Sequence, residues 1–492
     1  MPDIKIWIER LTLVLLKRPL FWVGLTALIL EISGSWILPL MDRDEPRFAE
    51  ASREMLQRHD WVIPWFNGQH RFDKPPLIYW CQAAMYLIFG ESEFSARLPS
   101  ILFTTATALL IFSWGKKELG SNAGMLAALG YSTSLLVLVY GRVGFADPAM
   151  VFFYSASCWL GWELTKQARI LSYNLVLLFC LSLALGFLAK GPVAWLPMVG
   201  LAWLIFRDPA LYKFGWGRWF WCLLGALVLV ALWGVPALIQ SNGEFFVVGV
   251  GHHVVERSFS VVEGHGIRGS LGWLASLPFY APVWLLGMFP WSILLFKRWC
   301  GLKKAGGESP FGHYLMVQLL LVLVVFSFVR TKLPHYILPA IPLSALWIAC
   351  DGTLLAEFRP RWFVWRFAGA GMVCLLVTLP GFIFLKHYFI SKELYERAAA
   401  EISPDSRILS AGDGEPSIVW EFRRRTSRYI EMVGDDQWTN VLGDTNPCVV
   451  ICRSHTMNTV TNSRLNQAFV IRERGRDVVS AEKTDLAVLV FR

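Results

Sequence analysis

Charge is scarce in this sequence. Only 17% of its 492 residues are Asp, Glu, Lys or Arg, against 55% hydrophobic ones, and a mean hydropathy of +0.46 excludes an ordinary soluble protein of this length. There is no internal repeat and no low-complexity tract, which argues against a repeat array. No tight H-x3-H pattern occurs, so metal binding is weak on spacing alone. Cysteine is sparse outside the apolar runs. Of nine Cys, seven (Cys81, Cys158, Cys180, Cys222, Cys300, Cys350 and Cys374) lie in or beside apolar segments, where they act as small hydrophobes. Only Cys448 and Cys452 fall in a polar region, and their spacing places two thiols along one strand more readily than it forms a disulfide. Residues 1–18 carry an acid before their apolar run and lack a small-residue cleavage site, so they read as an interfacial helix leading into a retained span.

What the chain has in quantity is long apolar runs. A spanning helix needs roughly 20 apolar residues, fewer when its ends are sheltered by protein. Candidates are 20–40, 98–114, 123–140, 148–164, 173–188, 193–206, 220–239, 271–296, 314–329, 337–350 and 362–389. The expected fold class is therefore a polytopic α-helical membrane protein of about 11–13 transmembrane helices. The 24 Trp and 34 Phe suit lipid-facing helices and interfacial belts. A formal charge of +9 does not mark a nucleic-acid partner here, because the basic residues are dispersed in small clusters between apolar runs.

Those clusters set the sidedness, since Lys and Arg near span ends are retained in the cytoplasm. The apolar stretch 77–89 is short and follows two prolines. Read as a juxtamembrane helix, it leaves every alternate connection basic: Lys17 and Arg18, Lys116 and Lys117, Lys166 and Arg169, Arg207 to Arg218, Lys297 to Lys304, and Arg359 to Arg366. The opposite face then receives 42–77, 141–147, 189–191, 241–270 and 330–336. Beyond about residue 390, short apolar runs (407–410, 427–432, 448–452, 486–491) alternate with polar, helix-compatible pieces and turn signals such as Gly412-Asp413-Gly414. The expected domains are a membrane part over 1–390, with outer loops at 42–97 and 240–270, and a small α/β domain over 391–492 on the outer face.

The segments on that face hold the chemistry. Asp42, Asp44 and Glu45 precede Pro46, which opens a charged helix over 46–58 with Glu50–Arg53 and Glu54–Arg58 pairs. Trp61, Trp65, Phe66, Asn67 and Gly68 form an aromatic, turn-containing platform. Arg71, Asp73 and Lys74 follow, and Pro75-Pro76 keeps a helix from enclosing Lys74, a compact phosphate partner. Asp147 before Pro148 is a cap or a functional acid; Lys190 is an interfacial anchor or a functional cation. The 241–270 loop holds His252, His253, Glu256, Arg257, Glu263, His265 and Arg268, among which Arg257 can clamp a phosphate with its planar fork. Arg330, Lys332, His335 and Tyr336 complete the set. Several cations with one or two carboxylates at a membrane surface suit a phosphorylated lipid: cations neutralise phosphate, and a carboxylate accepts a proton from an attacking hydroxyl.

The motifs Asp44-Glu45-Pro46-Arg47-Phe48-Ala49-Glu50, Phe72-Asp73-Lys74-Pro75-Pro76-Leu77, Ala146-Asp147-Pro148, Ala189-Lys190-Gly191-Pro192 and Lys332-Leu333-Pro334-His335-Tyr336, in this order within about residues 15–390, resemble those of the aminoarabinose transferases. These belong, with the protein O-mannosyltransferases, to the GT-C glycosyltransferases. The resemblance implies a polyprenyl-phosphate (undecaprenyl-type) monosaccharide donor, inversion at the anomeric carbon, and transfer at the periplasmic face of a bacterial inner membrane. It makes Asp44 the general base and Asp147 a second carboxylate near the reaction centre. Lys74, Arg257, Lys332, Tyr336, Arg47 and Lys190 form the phosphate- and donor-binding set. It also implies a divalent metal (Zn, Mg or Mn) held by Asp73 with His253, for which His265 competes. The acceptor expected is lipid A or another lipopolysaccharide glycolipid, with a protein acceptor as the alternative. A lipid transporter or flippase is a more distant one, for which Glu31 would be the buried acid.

Overall fold

The computed structural model describes residues 18–41, 44–166, 172–256, 270–302, 308–352, 380–385, 389–403, 406–411, 415–434, 448–453, 468–476 and 483–491, with isolated positions between 355 and 376. The chain divides into two compact units. One comprises Met1–Ser33, Phe72–Ile78 and Leu98–Leu375; the other comprises Gly34–Arg71, Tyr79–Arg97 and Leu376–Arg492. Most of the first outer loop thus groups with the C-terminal region, while Phe72–Ile78 groups with the first unit; the sequence places the boundary near residue 390.

The first unit is helical. Glu93–Leu119, Tyr173–Lys190, Trp216–Gln240 and Pro310–Phe328 are each long and apolar enough to cross a membrane, and Leu271–Gly287 with Ser292–Cys300 makes a fifth pair bent by 110°. Shorter apolar helices lie at Pro19–Ile32, Pro192–Arg207 and Ala340–Ala349, and another, Leu77–Phe89, falls mostly in the second unit. Most expected spans coincide with helix, but the 20–40 run is helical only over Pro19–Ile32, and 362–389 falls mostly outside the described residues. The 123–140 run is broken at Thr133-Ser134 into Ser121–Ser132 and Leu135–Tyr140. The chain is a multi-pass membrane protein.

The second unit is mixed. Its helix Asp44–Arg58 leads to a hairpin of β1 (Trp65–Phe66) and β2 (Gln69–His70). The hairpin turns at Asn67 and Gly68, both with φ above +50°, as a tight two-residue turn requires. Beyond residue 400, β3 (Arg407–Ala411), β4 (Ile430–Val433), β5 (Cys448–Arg453), β6 (Phe469–Arg476) and β7 (Lys483–Phe491) form one sheet in the order β4-β3-β5-β7-β6. Strand β3 runs parallel to β4 and β5, whereas β7 is antiparallel to β5 and β6. Parallel neighbours need a crossover, supplied between β3 and β4 by the helix Pro416–Thr426. That helix and Ile390–Ala398 bury Leu394, Ile418, Val419 and Phe422 against Ile408, Val449 and Val488 of the sheet. Cys448 and Cys452 are both buried on β5.

Candidate functional site

In the first unit the helices Asp147–Lys166 and Tyr173–Lys190 are packed neighbours joined by a short connection, so they run antiparallel and the start of one meets the end of the other. An acid therefore sits at a helix N-terminus and a cation at a helix C-terminus, each where the backbone dipole favours its charge. Gly191 (φ +77°) ends the second helix, in a left-handed geometry that only glycine takes without penalty. Lys190 Nζ pairs with Asp147 Oδ1 and stands 4.9 Å from the centre of the Tyr336 ring. The His335 ring lies 5.2 Å from those of Tyr336 and Tyr140. Burial works to raise the Asp147 carboxyl, but Lys190 first, then His335 and Lys74, hold it below its ordinary range.

Lys74 is half-buried and donates to the Asp73 carbonyl at 3.0 Å. Lys332 has a different setting. Its buried ammonium donates to the carbonyls of Phe326 (3.1 Å) and Ser327 (2.6 Å), capping the exposed C-terminal carbonyls of Pro310–Phe328, and burial pushes it down to about 8. The structure therefore brings Asp147, Lys190, Tyr336, His335 and Lys74 into one electrostatic group, with Lys332 directed at a helix end.

Sequence reasoning missed what holds this group. Arg142 donates to the carbonyls of Ser33 (2.9 Å) and Leu30 (3.1 Å) at the end of Pro19–Ile32, and its Nε is 3.9 Å from Glu31. Thr104 and Ser100 donate to the carbonyls of Gly141 (2.9 Å) and Phe145 (3.2 Å). A Cβ on Gly141 would lie 2.9 Å from a Glu31 carboxylate oxygen. The 141–147 segment is thereby fixed to two helices, and Glu31 is the counter-charge of that fixing.

In the second unit Asp44 opens its helix, with a half-exposed side chain 4.0 Å from Arg47. The next residue, Glu45, accepts from the Met41 amide at 2.7 Å and from Arg97 Nε and Nη2 at 2.8 and 2.7 Å. Arg97 also donates to the carbonyls of Ser35, Leu38 and Pro39 at 2.7 to 2.8 Å. All five guanidinium N–H groups are thus spent on the segment leading into Asp44. The signal for it was an Arg four residues into an apolar helix.

Of the remaining expected residues, His253 lies on the π-helix Phe246–Glu256 with its side chain outside the description, and Arg257, His265 and Asp42 lie outside the described residues. Among the described residues no three His, Cys, Asp or Glu side chains gather in a way that could hold a metal ion.

A profile of the dolichyl-phosphate-mannose-protein mannosyltransferases matches residues 73–236. The undecaprenyl phosphate-alpha-4-amino-4-deoxy-L-arabinose arabinosyl transferase of Edwardsiella ictaluri is 32% identical over 329 residues, 63% of this chain and 56% of that one. Its counterpart in Aeromonas hydrophila is 32% identical, over 69% of this chain and 61% of that one. The chain thus spans about three fifths of the length of these relatives. A protein of Aquifex aeolicus is 30% identical over 66% of this chain and 71% of its own length. In fold, the chain is similar to the crystal structure of ArnT from Cupriavidus metallidurans bound to undecaprenyl phosphate, with a TM-score of 0.77 and 17% identity over 95% of this chain and 97% of that one.

Proposed function

We propose that this chain is a GT-C glycosyltransferase akin to the aminoarabinose transferases and protein O-mannosyltransferases, and that it moves one monosaccharide from a polyprenyl-phosphate carrier to lipid A or another envelope glycolipid. The observation that carries the reading is the group formed by Asp147, Lys190, Tyr336, His335 and Lys74. A lone phosphate binder needs no carboxylate. A centre that must stabilise a departing phosphate beside a sugar developing positive charge uses both signs.

In the proposed reaction an acceptor hydroxyl attacks the anomeric carbon. The C1–O bond to phosphate breaks with its electron pair, leaving polyprenyl phosphate, and inversion follows from displacement on the opposite side. Lys74, Lys190, Arg47, Arg257 and Lys332 are assigned to the phosphate and its approach, Tyr336 to the donor, and Asp147 to the charge at the sugar. Asp44 takes the hydroxyl proton; this assignment rests on its place in the motif Asp44-Glu45-Pro46-Arg47. The proposal includes a divalent cation, Zn, Mg or Mn, on Asp73 with His253 or His265. A carboxylate and an imidazole are a donor set fit for such ions; bound there, the ion would neutralise phosphate charge.

The basic connections are assigned to the cytoplasm, and the site segments with the C-terminal domain to the periplasm, of a bacterial inner membrane. A protein acceptor is the second reading, favoured by the match to a protein mannosyltransferase profile over 73–236. The test is the purified protein in proteoliposomes with labelled undecaprenyl-phosphate sugars and both lipid A and peptides as acceptors. Label on lipid A is expected; label on peptide alone would replace the first reading by the second.

A further inference from the structure

The C-terminal domain has no part in the chemistry just described, yet its helix Pro416–Thr426 sends an arginine into the second unit's interior. Arg423 is only 1% exposed, and it meets Glu50 and Glu54, both fully buried on the helix Asp44–Arg58. Its Nη1 donates to Glu50 Oε1 at 2.8 Å and also to Glu54, while its guanidinium covers the Tyr429 ring at 4.0 Å. Arg53 meets Glu50 through two 2.8 Å bonds. Arg58 reaches Glu54 at 3.4 Å and the Tyr429 hydroxyl at 2.8 Å, and the Gly68 amide donates to Glu54 at 3.2 Å. Asn67 completes the join: its side-chain amide exchanges two hydrogen bonds with the backbone of Ile430, at 2.7 and 3.0 Å, as a further strand would.

Two arginines, Arg53 and Arg423, and two glutamates withdrawn from water are a poor way to gain stability, since desolvation offsets most of their attraction. What such a cluster does well is specify one arrangement, because a small displacement leaves a buried charge unpaired. The helix it grips opens with Asp44, six residues and about 9 Å of helix rise before Glu50. Burial pushes the Glu50 carboxyl up, against Arg53 and Arg423, so the arginines are what keep the cluster ionic.

We propose that the C-terminal domain is a brace for the catalytic loop, with Arg423 a positioning residue that fixes the axis of the Asp44–Arg58 helix and hence the bearing of Asp44. The inference rests on the proposed transferase reading for its catalytic consequence, but not for its mechanical one.

Two measurements on Arg423→Gln, Arg423→Lys and Glu54→Gln in the full chain separate these. Hydrogen exchange over 44–58 reads the mechanics and needs no activity. Loss of protection is expected in Arg423→Gln and Glu54→Gln, and partial retention in Arg423→Lys, which keeps the charge but loses the planar guanidinium that covers the Tyr429 ring. Steady-state kinetics reads the consequence. We expect kcat to fall about 10- to 100-fold, the scale of a small misplacement of a reacting group, with KM for the donor changing less than about threefold. Unchanged protection in folded variants overturns the brace, and lost protection with unchanged kcat overturns the positioning of Asp44 by it. If Arg423→Gln does not fold, Glu54→Gln decides by the same criteria. If the wild-type protein transfers no sugar, the function reading fails and the exchange data alone decide the mechanical part.

Discussion

Asp147 and Lys190 are worth more to each other than either is to the fold alone. Their side chains are 5% and 11% exposed, and removing one partner of a buried pair leaves an uncompensated charge at a cost of about 3–5 kcal/mol. Asp147→Asn and Lys190→Met are therefore each expected to lower the thermal midpoint in detergent. The double variant should recover most of that loss and remain inactive, which separates a structural pair from a working one. Recovered transfer in the double variant would remove both from the chemistry. Lys332 gives a pH signature. Burial places it at about 8, against about 10.4 for an unperturbed lysine, so between those values the unfolded chain holds the extra proton. Unfolding free energy from this group then rises with pH across that window. Subtracting the pH profile of Lys332→Met from that of the wild type should show the rise; a flat difference would contradict the burial argument.

At the scale of elements, the Asp44–Arg58 helix shows how one residue can command a segment. Arg97→Lys keeps the charge but loses the fork that serves Glu45 and three carbonyls at once. Transfer should fall about 10-fold or more, with faster exchange over 34–45 and a thermal midpoint lowered only modestly; wild-type exchange there would show that the loop holds itself. This fixing was illegible in the sequence for a plain reason. Arg97 and Glu45 are 52 residues apart, Arg142 and Ser33 are 109 apart, and Arg423 and Glu50 are 373 apart, and periodicity carries no information at such range. Apolar runs are legible because each helix must bury or lipidate its own surface. The strands at 407–411 and 448–453 are legible for the same local reason, but their parallel pairing, with β7 intervening before β6, is decided by packing between distant segments. Asp147 and Lys190 were placed on one face by sidedness; that they form a pair is a property of two antiparallel helix ends.

At the scale of the whole molecule, the proposed function requires an orientation, because polyprenyl-phosphate sugars and lipid A must meet the site on one side of the membrane. Charge predicts which side. Cys300 is exposed at the end of Ser292–Leu302, within the basic connection Lys297 to Lys304, which the retention of Lys and Arg assigns to the cytoplasm. Glu396 is exposed on the helix Ile390–Ala398 of the C-terminal domain, which the span count assigns to the other compartment. A membrane-impermeant maleimide applied to intact spheroplasts should therefore modify a cysteine placed by Glu396→Cys, and should modify Cys300 only after permeabilisation, with peptide mapping against Cys300→Ser to identify each adduct. The reverse order would invert the protein in the membrane and remove lipid A in the periplasmic leaflet as acceptor. Modification of both positions in intact spheroplasts would mean that an even number of spans separates Cys300 from residue 396, and 314–329, 337–350 and 362–389 would be the segments to recount, whereas counting Leu77–Phe89 as a span would produce the reverse order.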